Sequence, residues 1–97
     1  MAIASFVFCA IGSDITAPYM IGMVSEEETI SGSNAATTAA ATGGQNFCEV
    51  TVDTASYVTF AASPNAGTAT SARFFMPAGT TRYFRVQTGY KGAVIAA

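Results

Sequence analysis

The sequence has 97 residues, of which 51% are hydrophobic and 10% charged, with four basic residues, six acidic residues and no histidine. Ninety-seven residues make one domain, and the basic content excludes the broad positive surface that nucleic-acid phosphates require, so we expect no direct nucleic-acid partner. Histidine is the commonest general base and metal ligand, so its absence leads us to expect no enzyme, no cofactor and no metal site.

The first thirty residues predict two N-terminal strands or an arm. Residues 3–11 are rich in Ile, Phe and Val, as a buried strand is, and residues 17–24 form a second apolar stretch. No Lys or Arg precedes the first run, which ends near Gly12, so we expect neither a signal peptide nor a membrane partner. The Ser-Glu-Glu-Glu at 25–28 has no further ligands nearby and predicts a solvated acidic loop.

Residues 31–46, SGSNAATTAAATGGQN, form a low-complexity loop without a bulky side chain. Alone, such a segment should stay disordered, because it cannot bury enough apolar surface to offset its loss of conformational entropy. Two alternatives remain open. The segment either packs on a neighbouring chain or forms a long ordered loop, and we take both to favour an assembly.

Residues 47–97 predict an antiparallel all-β unit, because strands of five to eight residues alternate with short turns. The loop at 63–67 contains Pro, Asn and Gly, as turns do. The alternation predicts an inward-facing set, of which the last two members can both face in only if their strand is covered on both sides. This set is Val50, Val52, Val58, Phe60, Phe74, Met76, Phe84, Val86, Val94 and Ile95.

A turn at residues 77–79 predicts a hairpin. Pro77 has no N–H to donate, so the preceding strand must end or lie at an edge there, and Gly79 supplies the backbone freedom for a reversal. The strand at 83–86 is then expected to return antiparallel, with Phe84 and Val86 in the core and the intervening side chains on the opposite face.

Cys9 and Cys48 lie in the apolar stretches FVFCAI and NFCEV. A disulfide between them is possible, but a secreted scaffold of this size normally carries more cysteine pairs. We therefore predict buried free cysteines that act as small hydrophobic residues, which suits a chain that folds and assembles in a reducing cytoplasm.

Three of the four basic residues lie within thirteen positions, near two tyrosines. Three interpretations of this cluster remain open. The arginines are solvated charges on a strand face, or they belong to an interface with a partner, where arginine and aromatic residues are enriched. The third interpretation is an anion- or saccharide-binding site. The candidate subunit interface consists of Arg73, Arg82, Tyr83, Arg85 and Tyr90. Because an ordinary soluble domain has about 25% charged residues, we expect other protein to cover much of this surface, in a homo-oligomer with a trimer favoured.

The C-terminal fifty residues resemble short virion proteins of tailed bacteriophages. The resemblance rests on a Pro-Asn loop, a strand that ends in Pro-Ala-Gly, a Tyr-Phe-Arg-Val strand, a glycine and a terminal Ala-Val-Ile strand. The matching residues are Pro64-Asn65, Pro77-Ala78-Gly79, Tyr83-Phe84-Arg85-Val86, Gly89 and Ala93-Val94-Ile95. Nothing comparable covers the first forty-six residues.

The resemblance implies a small β-sandwich or jelly-roll-like barrel that decorates or cements the capsid by clamping neighbouring subunits of the major capsid protein. It therefore implies location in the virion. A tail, connector or head-fibre anchor protein is the alternative within the virion. A β-sandwich module that binds host-surface saccharide is a third possibility, and it would be favoured if Tyr57, Tyr83 and Tyr90 were exposed on one face.

Overall fold

The computed structural model describes residues 2–13, 18–67 and 72–97, and the side chains of these residues except those of 11–13 and 18–22. This part of the chain forms eight strands and no helix. The strands are β1 (Ile3–Ser13), β2 (Pro18–Thr29), β3 (Ala35–Ala36), β4 (Phe47–Val52), β5 (Ser56–Ala61), β6 (Phe74–Met76), β7 (Thr80–Arg85) and β8 (Lys91–Ala96). Residue 17, the start of the predicted second strand, lies outside the described residues.

Two four-stranded antiparallel sheets make up the fold, which confirms the predicted all-β sandwich. The first sheet has the strand order β2-β1-β4-β7 and the second has the order β3-β8-β5-β6. If β1 were counted as the last strand, these orders would read 1-8-3-6 and 2-7-4-5, which is the strand order of a jelly roll. The chain is therefore a jelly roll whose connectivity is permuted by one strand.

The core lies between the sheets and is built by alternation along each strand. Phe6 of β1 meets Phe60 of β5 edge to face at 6.2 Å between ring centroids, and Phe60 meets Phe84 of β7 at 5.2 Å. Most of the predicted inward set is confirmed as buried. The buried members are Val50, Val52, Val58, Met76, Phe84, Val86 and Val94.

The second sheet is covered on its outer face as well. Val94 is fully buried on the inner side of β8, while Ile95 is half-buried on the outer side. The loop at 62–67 lies over that outer side, and an added Cβ at Gly67 would lie 3.1 Å from the Ile95 Cδ1. Val94 is therefore part of the core between the sheets, and Ile95 is not.

The predicted hairpin at residues 77–79 is wrong. β6 pairs with β5 in the second sheet, and β7 pairs with β4 in the first, so the turn is a corner between sheets. The Gly79 amide donates to the Val52 carbonyl at 2.9 Å, and Gly79 has the positive φ of 75° that the sequence suggested. Facing sheets lie only about 10 Å apart, so this short turn is long enough to cross from one sheet to the other.

The low-complexity segment is ordered against its own chain. It contains β3, which pairs with β8, and the Ala41 amide donates to the Tyr90 carbonyl at 2.8 Å. The buried Thr37 donates its amide to the Gly92 carbonyl and accepts the Gly92 amide on its hydroxyl. The segment is therefore an ordered loop whose small side chains allow close approach to β8. Whether it also packs on a neighbouring chain stays a prediction.

The acidic stretch is a strand and not the predicted loop. Residues 25–28 belong to β2, where Glu26 pairs with the buried Phe6 of β1 and Glu28 with the buried Ala4. Glu27 pairs with Ser5 and lies on the outer face. The carboxylates therefore alternate with the period of a strand.

Candidate subunit interface

β7 divides its side chains between the core and the outer face of the first sheet, as predicted. Phe84 is 8% exposed and Val86 is 6% exposed, whereas Tyr83 is 54% exposed and Arg85 is exposed. On β4, Glu49 lies opposite Tyr83, and its carboxylate accepts the Tyr83 hydroxyl at 2.5 Å. This hydrogen bond, with partial burial and the Glu49 charge, raises the pKa of Tyr83 and fixes where the ring lies.

Arg82 lies on the other side of β7, at the margin between the two sheets. Its guanidinium carbon is 5.2 Å from the ring centroid of Phe84 and 5.8 Å from that of Phe74. Such cation–π contacts are worth about 0.5–1 kcal/mol where they are exposed. Arg82 therefore covers part of an aromatic pair while its charge remains at the surface.

Arg73 lies on the outer face of the second sheet and holds its loop in place. Its guanidinium carbon lies 3.8 Å from the ring centroid of Tyr57, and Nη1 donates to the Ala66 carbonyl at 3.0 Å. The side chain is half-buried. Both contacts lie within the chain and hold the side chain against the second sheet.

Tyr90 packs against the hydrophobic core and is half-buried. The five predicted interface residues therefore do not form one patch. The structure brings Tyr83 and Arg85 together on the first sheet, places Arg82 at the adjacent margin, and puts Arg73 on the second sheet. Whether they contact a partner stays a prediction.

Exposed apolar side chains extend the surface beyond the residues that the sequence indicated. Phe74 was predicted to face inward; its ring does meet Phe84 at 5.0 Å, yet it is 43% exposed because β6 is a three-residue edge strand. Phe75 on the opposite face is 49% exposed. On β2, the edge strand of the first sheet opposite β7, Met23 is 60% exposed and Val24 is 45% exposed. In the sequence, only Pro77, which follows β6, indicated that this strand lies at an edge.

Tyr57, Tyr83 and Tyr90 do not share a face. Tyr57 lies beneath Arg73 on the second sheet, Tyr83 lies on the outer face of the first, and Tyr90 packs on the core. A row of aromatic rings on one face was the feature that would have favoured saccharide binding, so that alternative lacks its support.

The chemistry that the described residues offer is limited. In residues 2–13, 18–67 and 72–97 no three His, Cys, Asp or Glu side chains cluster to hold a metal, and none of these segments forms a helix long and apolar enough to cross a bilayer. Cys9 and Cys48 are free and buried, as predicted. Burial raises the pKa of both thiols, with the Glu49 charge adding to the effect, and Cys48 reaches about 12. The two thiols are therefore poor nucleophiles.

Comparison with protein-family models, curated proteins and solved structures finds no match to this chain.

Proposed function

We propose that the chain is a structural virion protein, which decorates the capsid of a tailed bacteriophage and cements contacts between neighbouring major capsid subunits. The observation that carries this proposal is the edge patch where β6 and β7 meet. This patch consists of Phe74, Arg82, Tyr83 and Arg85. The resemblance of the C-terminal half to short virion proteins supports the same role.

The composition of the edge patch suits burial against protein. Aromatic residues and arginine are the residue types that contribute most to binding energy in interfaces. Tyr83 and Arg85 project from one face of a rigid strand, and a ring preordered by the Tyr83–Glu49 hydrogen bond loses little further freedom on binding. Contacts of this kind add stability that a small core lacks.

Attachment to particles tests the proposal. Arg85→Ala should leave the fold intact, since Arg85 is exposed, and should weaken attachment to particles that lack the native protein by about 2 kcal/mol or more if the residue is an anchor. Lys91→Ala on β8 removes the same charge away from the patch and serves as the control. Failure of the wild type to bind would refute the proposal, and equal retention of Arg85→Ala would reduce Arg85 to a solvated charge.

Copy number distinguishes head from tail. A decoration protein should be present in hundreds of copies per particle, whereas a tail, connector or fibre-anchor protein should be present in tens. Quantitative cross-linking or a low-resolution map of the intact particle gives this number.

A further inference from the structure

The segment of residues 37–41, called the strap below, is anchored to the second sheet at both of its ends. The Thr37 amide donates to the Gly92 carbonyl of β8 at 2.8 Å. The Ala41 amide donates to the Tyr90 carbonyl, also at 2.8 Å. Because main-chain carbonyls do not titrate, these two anchors do not depend on pH.

The strap is fastened to the first sheet through one titratable side chain. The Thr38 amide donates to one oxygen of the Glu26 carboxylate at 2.7 Å, and the Ala39 amide donates to the other oxygen at 3.1 Å. The Thr38 hydroxyl adds a third hydrogen bond. In the part of the chain that the structure describes, Glu26 accepts every hydrogen bond from the strap to the first sheet.

A second carboxyl group lies beside the first. Glu26 and Glu28 are half-buried on the same face of β2, since they pair with the buried Phe6 and Ala4. Their carboxyl groups share a hydrogen bond. Only a carboxyl group that holds a proton can donate, and two adjacent carboxylates repel each other, so the pair keeps one proton between its members.

No basic side chain near the pair can replace this proton. The first basic residue of the sequence is Arg73, so β1, β2, β3 and the strap contain neither Lys nor Arg. β8 contains Lys91, which alternates with Gly92. Since Gly92 faces Phe6 in the core, Lys91 lies on the outer face of the second sheet.

The other titratable groups on the surrounding elements also face elsewhere. Cys9 of β1 and Glu27 of β2 alternate with inward residues and lie on the outer face of the first sheet. Tyr90 packs against the hydrophobic core. Loss of the shared proton therefore places two negative charges side by side at a half-buried position without a positive partner.

We propose that Glu26 and Glu28 form a proton-operated latch, which holds the strap against β2 while the pair keeps its proton and releases residues 38–40 when the proton is lost. Release lets the two carboxylates move apart into water, and the three hydrogen bonds that Glu26 accepts from the strap are broken. The anchors at Thr37 and Ala41 remain in place. The opening is therefore local, and it loosens the connection between the two sheets without unfolding either of them.

The size of the effect follows from linkage between protonation and opening. Burial, the hydrogen bond with Glu26 and the Glu26 charge raise the pKa of Glu28 from 4.5 to about 7 while the strap is closed. Once the strap opens and the carboxylates separate, the pKa of Glu28 returns toward 4.5. The state with the lower pKa gains population as pH rises, so release should become about tenfold more frequent between pH 6 and pH 8.

Amide hydrogen exchange followed by NMR measures the opening residue by residue. In the wild type, the protection factors of Thr38 and Ala39, corrected for the intrinsic effect of pH on exchange, should fall about tenfold from pH 6 to pH 8. The amides of Thr37 and Ala41 donate to main-chain carbonyls. Their protection factors should stay constant, which makes them the internal control.

Three variants separate the members of the latch. Glu28→Gln keeps a donor beside Glu26 at every pH, so the protection factors of Thr38 and Ala39 should no longer fall. Glu27→Gln removes a carboxylate from the outer face of the same strand, and the fall should match that of the wild type. Glu26→Gln leaves one accepting oxygen where there were two, so protection should be lower at both pH values.

Three results would overturn the latch. Equal protection of Thr38 and Ala39 at pH 6 and pH 8 in the wild type would show that Glu28 turns into water while the strap stays closed. A fall that persists in Glu28→Gln would assign the pH dependence to another group. An equal fall at Thr37 and Ala41 would show that the whole segment opens. The wild-type comparison decides the first and third of these without any variant, and it uses no particles.

Discussion

The Glu26 carboxylate on β2 accepts hydrogen bonds from the Thr38 amide at 2.7 Å and the Thr38 hydroxyl at 3.3 Å. The Ala39 amide donates a third hydrogen bond at 3.1 Å. An edge strand of the first sheet is thereby fastened to the segment that follows β3. An inward-pointing charge on an edge strand also discourages non-specific strand addition. Glu26 therefore orders a segment of small residues and also disfavours the addition of another strand at this edge.

The neighbouring Glu28 makes stability depend on pH. Burial, a hydrogen bond with Glu26 and the Glu26 charge raise the pKa of Glu28 from 4.5 to about 7. Between those values the folded chain holds a proton that the unfolded chain has lost, so the free energy of unfolding should fall as pH rises through this window. Urea unfolding between pH 4.5 and 8 measures the slope, and Glu28→Gln should flatten it.

Glu27→Gln removes a carboxylate from the opposite face of β2 and should leave that slope in place.

At lower pH the dependence of stability on pH has the opposite sign. Burial opposes ionisation of Glu26, but its hydrogen bonds outweigh burial and hold its pKa below 4.5. Its contribution to stability is therefore lost as pH falls through that lowered pKa. A free energy of unfolding that rises from pH 5 to 7 would contradict the assignment to Glu28.

Phe84 should contribute far more to folding than its neighbour Tyr83. Phe84→Ala removes a buried ring that contacts Phe60 and the edge residue Phe74, and should cost about 3–5 kcal/mol. This loss is enough to unfold a chain of marginal stability. Tyr83→Ala removes a ring that is 54% exposed and should cost about 1 kcal/mol or less. Urea titrations give both values, and equal losses would show that β7 does not divide its faces in this way.

The sequence predicted which face a side chain occupies better than which strand it lies beside. Alternation placed Val50, Val52 and Phe84 in the core correctly, because the period of two is local to each strand. It could not distinguish a hairpin at Pro77 from a corner between sheets, since a short turn serves both. That choice depends on the pairing of β7 with β4, about thirty residues earlier in the chain.

The contacts that order residues 31–46 could not be predicted for a related reason. Small apolar side chains bury little area, so composition predicts disorder. In the structure, hydrogen bonds hold the segment where buried apolar area is small. The Asn34 side chain accepts the Ala66 amide at 2.7 Å, and the Gln45 side chain accepts the Thr42 amide at 2.9 Å. These partners lie in other loops or depend on a local turn, and no residue pattern indicates them. The predicted interface residues lie on different surfaces for the same reason. Contacts such as that of Arg73 with Tyr57 form only when distant parts of the chain fold together.

The two cysteines should be unreactive in the folded protein. Burial and nearby negative charge raise the pKa of both thiols, so little thiolate is present at neutral pH. Alkylation of the native protein followed by mass spectrometry should leave Cys9 and Cys48 unmodified, whereas alkylation in denaturant should modify both. A mass two hydrogens short under non-reducing conditions would reveal a disulfide and contradict the free thiols.

Gly92 should tolerate no side chain. It lies in β8 against the core, where an added Cβ would stand 2.5 Å from the Phe6 Cε1 and 3.1 Å from the Phe60 Cε1. Phe6 is fully buried, so its ring has no free space to move into. Gly92→Ala should therefore lower the free energy of unfolding by about 3 kcal/mol.

Gly43 provides the matched substitution. An added Cβ there meets nothing within 4 Å, and the residue lacks the positive φ that would strain an alanine. Gly43→Ala should change stability by less than about 1 kcal/mol, and in the stabilising direction, because alanine restricts the unfolded chain. Urea unfolding of both variants gives the comparison. If Gly92→Ala were as stable as Gly43→Ala, the close packing of β8 on Phe6 would be wrong, and with it the placement of the second sheet against the first.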